Sequence, residues 1–179
     1  ASSDALKTEI VSALNDYANN VEINKFGGRF KYSKLNTLID RVDNGITSNI
    51  TKVIVRRDLK ALLNQFAQYE LCFGNRFYIN PAGYNIKSTG FTINGFSQIA
   101  YITDVPNKTI SGALDGSLKG TLSVITKNNQ GQQVVLIKDA GIVDYKKGEV
   151  ILNTINITST VSENNIIEIQ AFPESNDVV

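Results

Sequence analysis

The chain has 179 residues, 42% of them hydrophobic and 20% charged, which is enough for one sizeable domain or two small ones sharing a core. A net charge of +1 gives no long-range pull toward nucleic acid or anionic membrane, and the single cysteine, Cys72, excludes an internal disulfide framework. Histidine is absent, so no Ser-His-Asp or Cys-His nucleophile and no histidine-ligated zinc site can be built within the chain.

The opening stretch SSDALKTEIVSALNDYANNV places Leu6, Ile10, Leu14 and Tyr17 at helical spacing. It predicts an amphipathic helix capped by Ser2 or Ser3, with Asp4 at the positive end. SKLNTLIDRVDNG predicts a second helix. Ser33 caps it, Leu35, Leu38, Ile39 and Val42 form one stripe, and Gly45 supplies a left-handed residue after the last turn.

From TKVIVRR (51–57) onward the pattern becomes extended and β-branched. DLKALLNQF fits either a short helix or a continuing strand. Beyond it, Gly or Asn separates short strand-like runs. In SLKGTLSV, Leu118, Gly120, Leu122 and Val124 face one way and Lys119, Thr121 and Ser123 the other. KNNQGQQ (127–133) and DYKKGE (144–149) read as hairpin turns. In the second turn Asp144 is placed to bond backbone amides and Gly148 to adopt positive φ. Tyr145 either covers the end of the core or anchors an interface.

Helices first and strands afterwards predict an α+β fold, with N-terminal helices packed on a predominantly antiparallel β-rich part. The expected division is a helical part over 1–60 and a β-rich part over 61–179 in one compact unit. The lack of any methionine predicts a fragment of a longer polypeptide.

Asp40, Asp43 and Asn44 ahead of Gly45 imitate half of a calcium loop. Counted from Asp40, however, Val42 falls at the third ligand position and Thr51 at the twelfth, where a bidentate Glu is needed. A helix stop explains the stretch better. No Ser-x-x-Lys, no Gly-x-Ser-x-Gly and no P-loop spacing occurs, so the expectation is a protein that is not an enzyme, with no cofactor and no metal. No apolar run exceeds a few residues, so no membrane partner is expected.

Nine of the fifteen aromatics fall within residues 66–101. A nucleic-acid-binding module using these aromatic-rich strands, with Arg56, Arg57 and Lys60 nearby, is the alternative function. Phe91 and Phe96, five apart, face opposite ways on a regular strand, and Asp58 interrupts the basic run. A protein interface is the preferred reading, with no nucleic acid as partner.

Three stretches in order carry a family resemblance: LIDRVDNGITSNITKVIVRRDL (38–59), FGNRFYINPAGYNIKSTGFTINGF (73–96) and KDAGIVDYKKGEVIL (138–152). Together they resemble the baseplate wedge family of T-even bacteriophages (gene product six, in its C-terminal part), itself related to the J-type baseplate proteins of contractile tails. The resemblance spans roughly residues 30–155. It implies a structural part of the baseplate wedge in the virion, assembled in the host cytoplasm. The partners it implies are a second copy in a homodimer and other baseplate wedge proteins. Edge strands and the aromatic-rich span need cover, which makes Tyr69, Phe73, Phe77 and Tyr84 the expected interface residues.

Overall fold

Ser2 starts the first helix by accepting the Ala5 N–H on its hydroxyl, and Asp4 stands in the first turn. In the computed structural model, which describes residues 2–178, this helix is α1 (Ser3–Ala18). One turn (α2, Val21–Asn24) and α3 (Tyr32–Asp40) follow. The chain divides into two compact units, Ala1–Val53 with Ser175–Val179 and Ile54–Glu174.

Within the first unit α1 packs on α3, and Tyr17 meets Phe30 edge to face at 6.2 Å between ring centroids. Leu35 and Ile39 on α3 are buried, whereas α1 buries none of its residues fully. Two hydrogen bonds from Tyr32 tie the unit together. Its hydroxyl donates to the Thr51 carbonyl at 2.7 Å, and its N–H donates to Asp177 Oδ1 at 2.8 Å.

The second helix differs from its sequence reading. It begins at Tyr32, ahead of the expected Ser33 cap, and stops at Asp40, before Val42. Asn49 closes that end by donating its amide to the Asp40 carboxylate and the Asn36 carbonyl. Gly45 lies in the following turn without a left-handed φ, and its N–H donates to Asp43 Oδ1 at 2.6 Å. The side chain of Asp43 makes this turn, so the backbone needs no glycine conformation there.

The second unit consists of nine strands: β1 (Val55–Lys60), β2 (Phe66–Cys72), β3 (Lys87–Ser88), β4 (Phe91–Ile93), β5 (Ala100–Pro106), β6 (Lys119–Lys127), β7 (Gln133–Asp144), β8 (Glu149–Thr160) and β9 (Ile166–Ala171). DLKALLNQF forms no helix. Its first residues finish β1, Asn64 turns with φ 58°, and Phe66 opens β2.

Strands β4, β5, β6, β7 and β8 pair in sequence, and β8 pairs back to β4, closing a five-stranded barrel. Every pairing is antiparallel. Five reversals do not return a straight strand to its own direction, so the ring closes only through bent strands. β8 bends by giving residues 149–152 to β7 and residues 157–160 to β4. The β6–β7 ladder slips register twice, around Val124. Outside the ring, β2 lies along β8, and β3, β9 and β1 extend from β5. The free edge at β1 carries Arg56, Arg57, Asp58 and Lys60, charges that blunt an exposed edge.

The α+β expectation is therefore corrected. The protein is mostly β, with 38% of residues in strands against 18% in helices, and its organising element is the closed barrel. The clear amphipathic period of the N-terminal segment weighed more in the sequence than its short length warrants. The apolar mass lies in the strands: Phe91, Ile102, Leu122, Val124, Val143, Leu152, Ile157, Ile167 and Ile169 are all sealed from solvent.

Candidate functional site

The β7–β8 turn organises one end of the barrel. Asp144 Oδ1 accepts the Lys147 N–H at 2.9 Å, and the Gly148 N–H donates to the Asp144 carbonyl at 2.9 Å. Gly148 has φ +67°, and a Cβ there would stand 1.8 Å from the Asn75 carbonyl oxygen. The 73–77 loop lies against this turn. The Phe73 N–H donates to the Gly148 carbonyl and the Phe77 N–H to the Tyr145 carbonyl, each at 2.8 Å.

That docking decides the fate of the expected interface residues. Phe73 and Phe77 meet edge to face at 5.0 Å between centroids and are buried in the core, so they present no surface to a partner. Tyr69 is half-buried, and its hydroxyl accepts the Leu62 N–H at 3.0 Å. Tyr84 alone of the four is exposed, at 44%.

Tyr145 is buried, and its hydroxyl donates to Asp104 Oδ2 at 2.6 Å. Asp104 Oδ1 accepts the Ile86 N–H at 2.7 Å, and its backbone carbonyl accepts the Tyr84 N–H at 3.0 Å. Burial pushes the Asp104 carboxyl above the usual carboxylate range, while the bonds from Tyr145 and Ile86 pull the other way. Burial beside Asp104 pushes the Tyr145 hydroxyl far up. One carboxylate thus links β5, the β7–β8 turn and the 83–86 segment.

The outer face of the barrel carries a row that sequence reading missed. Register aligns Val105, Thr121, Ile142 and Ile151 across β5, β6, β7 and β8, and then Glu70 on β2. Val105 is 42% and Ile142 53% exposed, and Ile151 is half-buried. The signal was present in GIVDY and EVIL, where apolar residues fall on both faces of the strand. A strand with one wet face alternates instead. At the end of the row, the hydrogen bond that a protonated Glu70 donates to Glu149, and then the Glu149 charge, hold the Glu70 carboxyl above the ordinary value.

The basic residues named for nucleic acid are partly engaged elsewhere. Arg56 pairs with Asp58 at 3.2 Å and with Glu168 at 3.1 Å. Phe91 is a core residue, and Phe96 is exposed. In the first unit, Ala13, Tyr17, Leu38 and Val42 line an apolar groove of about 630 Å³ flanked by Lys34 and Arg41.

Compared with known proteins, the first third of the chain is similar to a structural protein of phage baseplates. The family model that matches is that of the baseplate structural protein gp6, C-terminal domain III, over residues 1–58. The family resemblance read from the sequence is shown on those residues. The match takes in nearly all of the first motif stretch and lies before the other two. None of the curated proteins compared with the chain matches it.

Proposed function

We propose that the chain is a structural part of a contractile phage tail baseplate wedge, working through protein–protein contacts rather than catalysis. The observation that carries this reading is the match of residues 1–58 to a baseplate structural domain. In this reading the protein resides in the tail baseplate of the virion after assembly in the host cytoplasm. Its partners are a second copy of itself and other wedge proteins.

The barrel supplies a surface suited to that work. The Val105–Thr121–Ile142–Ile151 row offers three apolar side chains and a threonine on a sheet face, and protein interfaces bury such patches at their centre. Tyr84, the exposed member of the expected aromatic set, remains an interface residue in this proposal, and Tyr69 a partial one. Light-scattering mass across a concentration series tests the homodimer. A mass near twice 19.6 kDa at micromolar concentration is the expected result. A monomer persisting at high micromolar concentration would remove self-association from the proposal.

A further inference from the structure

On the outer side of β5 lies a groove of about 320 Å³, walled by Tyr84, Lys87, Tyr101, Lys127 and Gln133. Register places Thr103 on its floor between Lys87 and Ser123, with Tyr101 and Ile125 in the next row. Thr103 faces outward on its strand, as Tyr101 and Val105 do, yet it is 3% exposed. Its hydroxyl has no hydrogen-bond partner among the described residues. A buried hydroxyl left unpaired is costly, so the floor of this groove is held at some expense.

The walls carry charge of one sign. Lys87 and Lys127 stand on the two strands flanking β5, and none of the described lining residues is acidic. Neither lysine takes part in an ion pair among the described residues; Lys127 Nζ stands 5.8 Å from the centre of the Tyr101 ring.

Tyr84 is held against its own preference. Its φ is +66°, a conformation that bulky residues adopt only under constraint. The constraint comes from Asp104. Its carbonyl bonds the Tyr84 N–H and would lie 2.7 Å from a Cβ on Gly83, while its carboxylate bonds the Ile86 N–H. The half-exposed Tyr84 ring is thereby fixed as one wall of the groove.

We propose that this groove binds an extended acidic segment of a partner protein. Lys87 and Lys127 hold its carboxylates, and its apolar atoms lie between the Tyr84 and Tyr101 rings. The inference rests on the assembly role above and names the chemistry of one partner. No arginine fork, which favours phosphate, lines the groove among the described residues; lysine point charges beside tyrosine rings suit carboxylates on an amphipathic strand.

The probe is a fluorescein-labelled hexapeptide of alternating Glu and Val, titrated at low salt and followed by anisotropy. Saturable binding is expected, weakened about tenfold by Lys87→Gln or Lys127→Gln and untouched by Lys146→Gln, a lysine that does not line the groove. Tyr84→Gly should weaken binding while raising Tm, because it removes the ring and the backbone strain together. Absence of binding, equal loss in the Lys146→Gln control, or binding unmoved by Tyr84→Gly would overturn the proposal. A thymidine hexanucleotide taking the groove in the peptide's place would overturn it too, by making this a nucleic-acid site. Light-scattering mass measured on the same variants separates the two readings: an unchanged dimer without peptide binding condemns the groove alone.

Discussion

The Tyr145 hydroxyl reaches Asp104 Oδ2 at 2.6 Å across the end of the barrel, joining the β7–β8 turn to β5 in a place sealed from solvent. The bond satisfies one carboxylate oxygen, and the Ile86 N–H satisfies the other. Burial still disfavours the charge, so the folded-state pKa of Asp104 lies above its ordinary value of 3.8. A raised folded pKa contributes stability that is fully present below the unfolded value and lost as pH rises through the folded one. Wild-type stability should therefore fall, relative to Asp104→Asn, as pH rises from 3.8 toward neutrality. Asparagine keeps an acceptor for Ile86 and offers a donor to Tyr145 without a charge. Urea unfolding of both proteins across that window checks this, and parallel stability curves would contradict it.

Tyr145→Phe removes the donor and leaves Asp104 Oδ2 buried without it. A loss of about 1–3 kcal/mol is expected, the cost of an unsatisfied buried group. The same change removes a bond that lowers the Asp104 pKa, so the pH dependence should move upward as well. The unfolding free energy of Tyr145→Phe, followed against pH, reads both effects.

How much of this was legible depended on whether a residue's role was local. The cap at Ser2 (one of the two serines named) and the 127–133 and 144–149 turns rest on neighbours in sequence, and the structure has them there; the extended run expected from residue 51 becomes a strand only at Val55. Barrel closure rests on pairings such as Phe91 with Thr160, which no local pattern announces. Phe73 and Phe77 were misjudged for the same reason, because the turn that buries them lies some seventy residues onward. Asp104 sits between Thr103 and Val105 with nothing local to mark its partners. Only the fold brings Tyr145 and Ile86 to it.

The two turn glycines should respond unequally to alanine. At Gly148 the backbone is left-handed and the new Cβ would lie within 1.8 Å of the Asn75 carbonyl, so the 73–77 loop must move or the turn must open. Gly148→Ala should cost more than the ~1–3 kcal/mol of backbone strain alone. At Gly45 φ is ordinary, and the nearest atom is Asp43 Oδ1 at 3.0 Å, the end of a side chain. Gly45→Ala should stay within about 1 kcal/mol of wild type. Thermal melts of the pair settle the ordering, and equal losses would contradict the turn geometry described here.

The outer row provides the sharpest check on self-association. Ile142 stands between Thr121 and Ile151 at its centre, exposed and away from the core, so Ile142→Asp should leave Tm nearly unchanged. If the row meets a second copy, the new carboxylate would be buried there unpaired, and association should weaken by about 2–5 kcal/mol. The Glu70–Glu149 contact beside the row adds a pH signature. Glu70 already binds its proton more readily than an isolated Glu, because its protonated form donates a hydrogen bond to Glu149 and the Glu149 charge repels its own. Covering the row removes more water from this pair and raises that affinity further, so the dimer binds more protons than the monomer. Association should then strengthen as pH falls from neutrality toward the ordinary Glu value of 4.5, and Glu70→Gln should flatten the trend. Light-scattering mass of wild type, Ile142→Asp and Glu70→Gln at several pH values distinguishes the cases. A dimer indifferent to Ile142→Asp would place the contact elsewhere on the molecule.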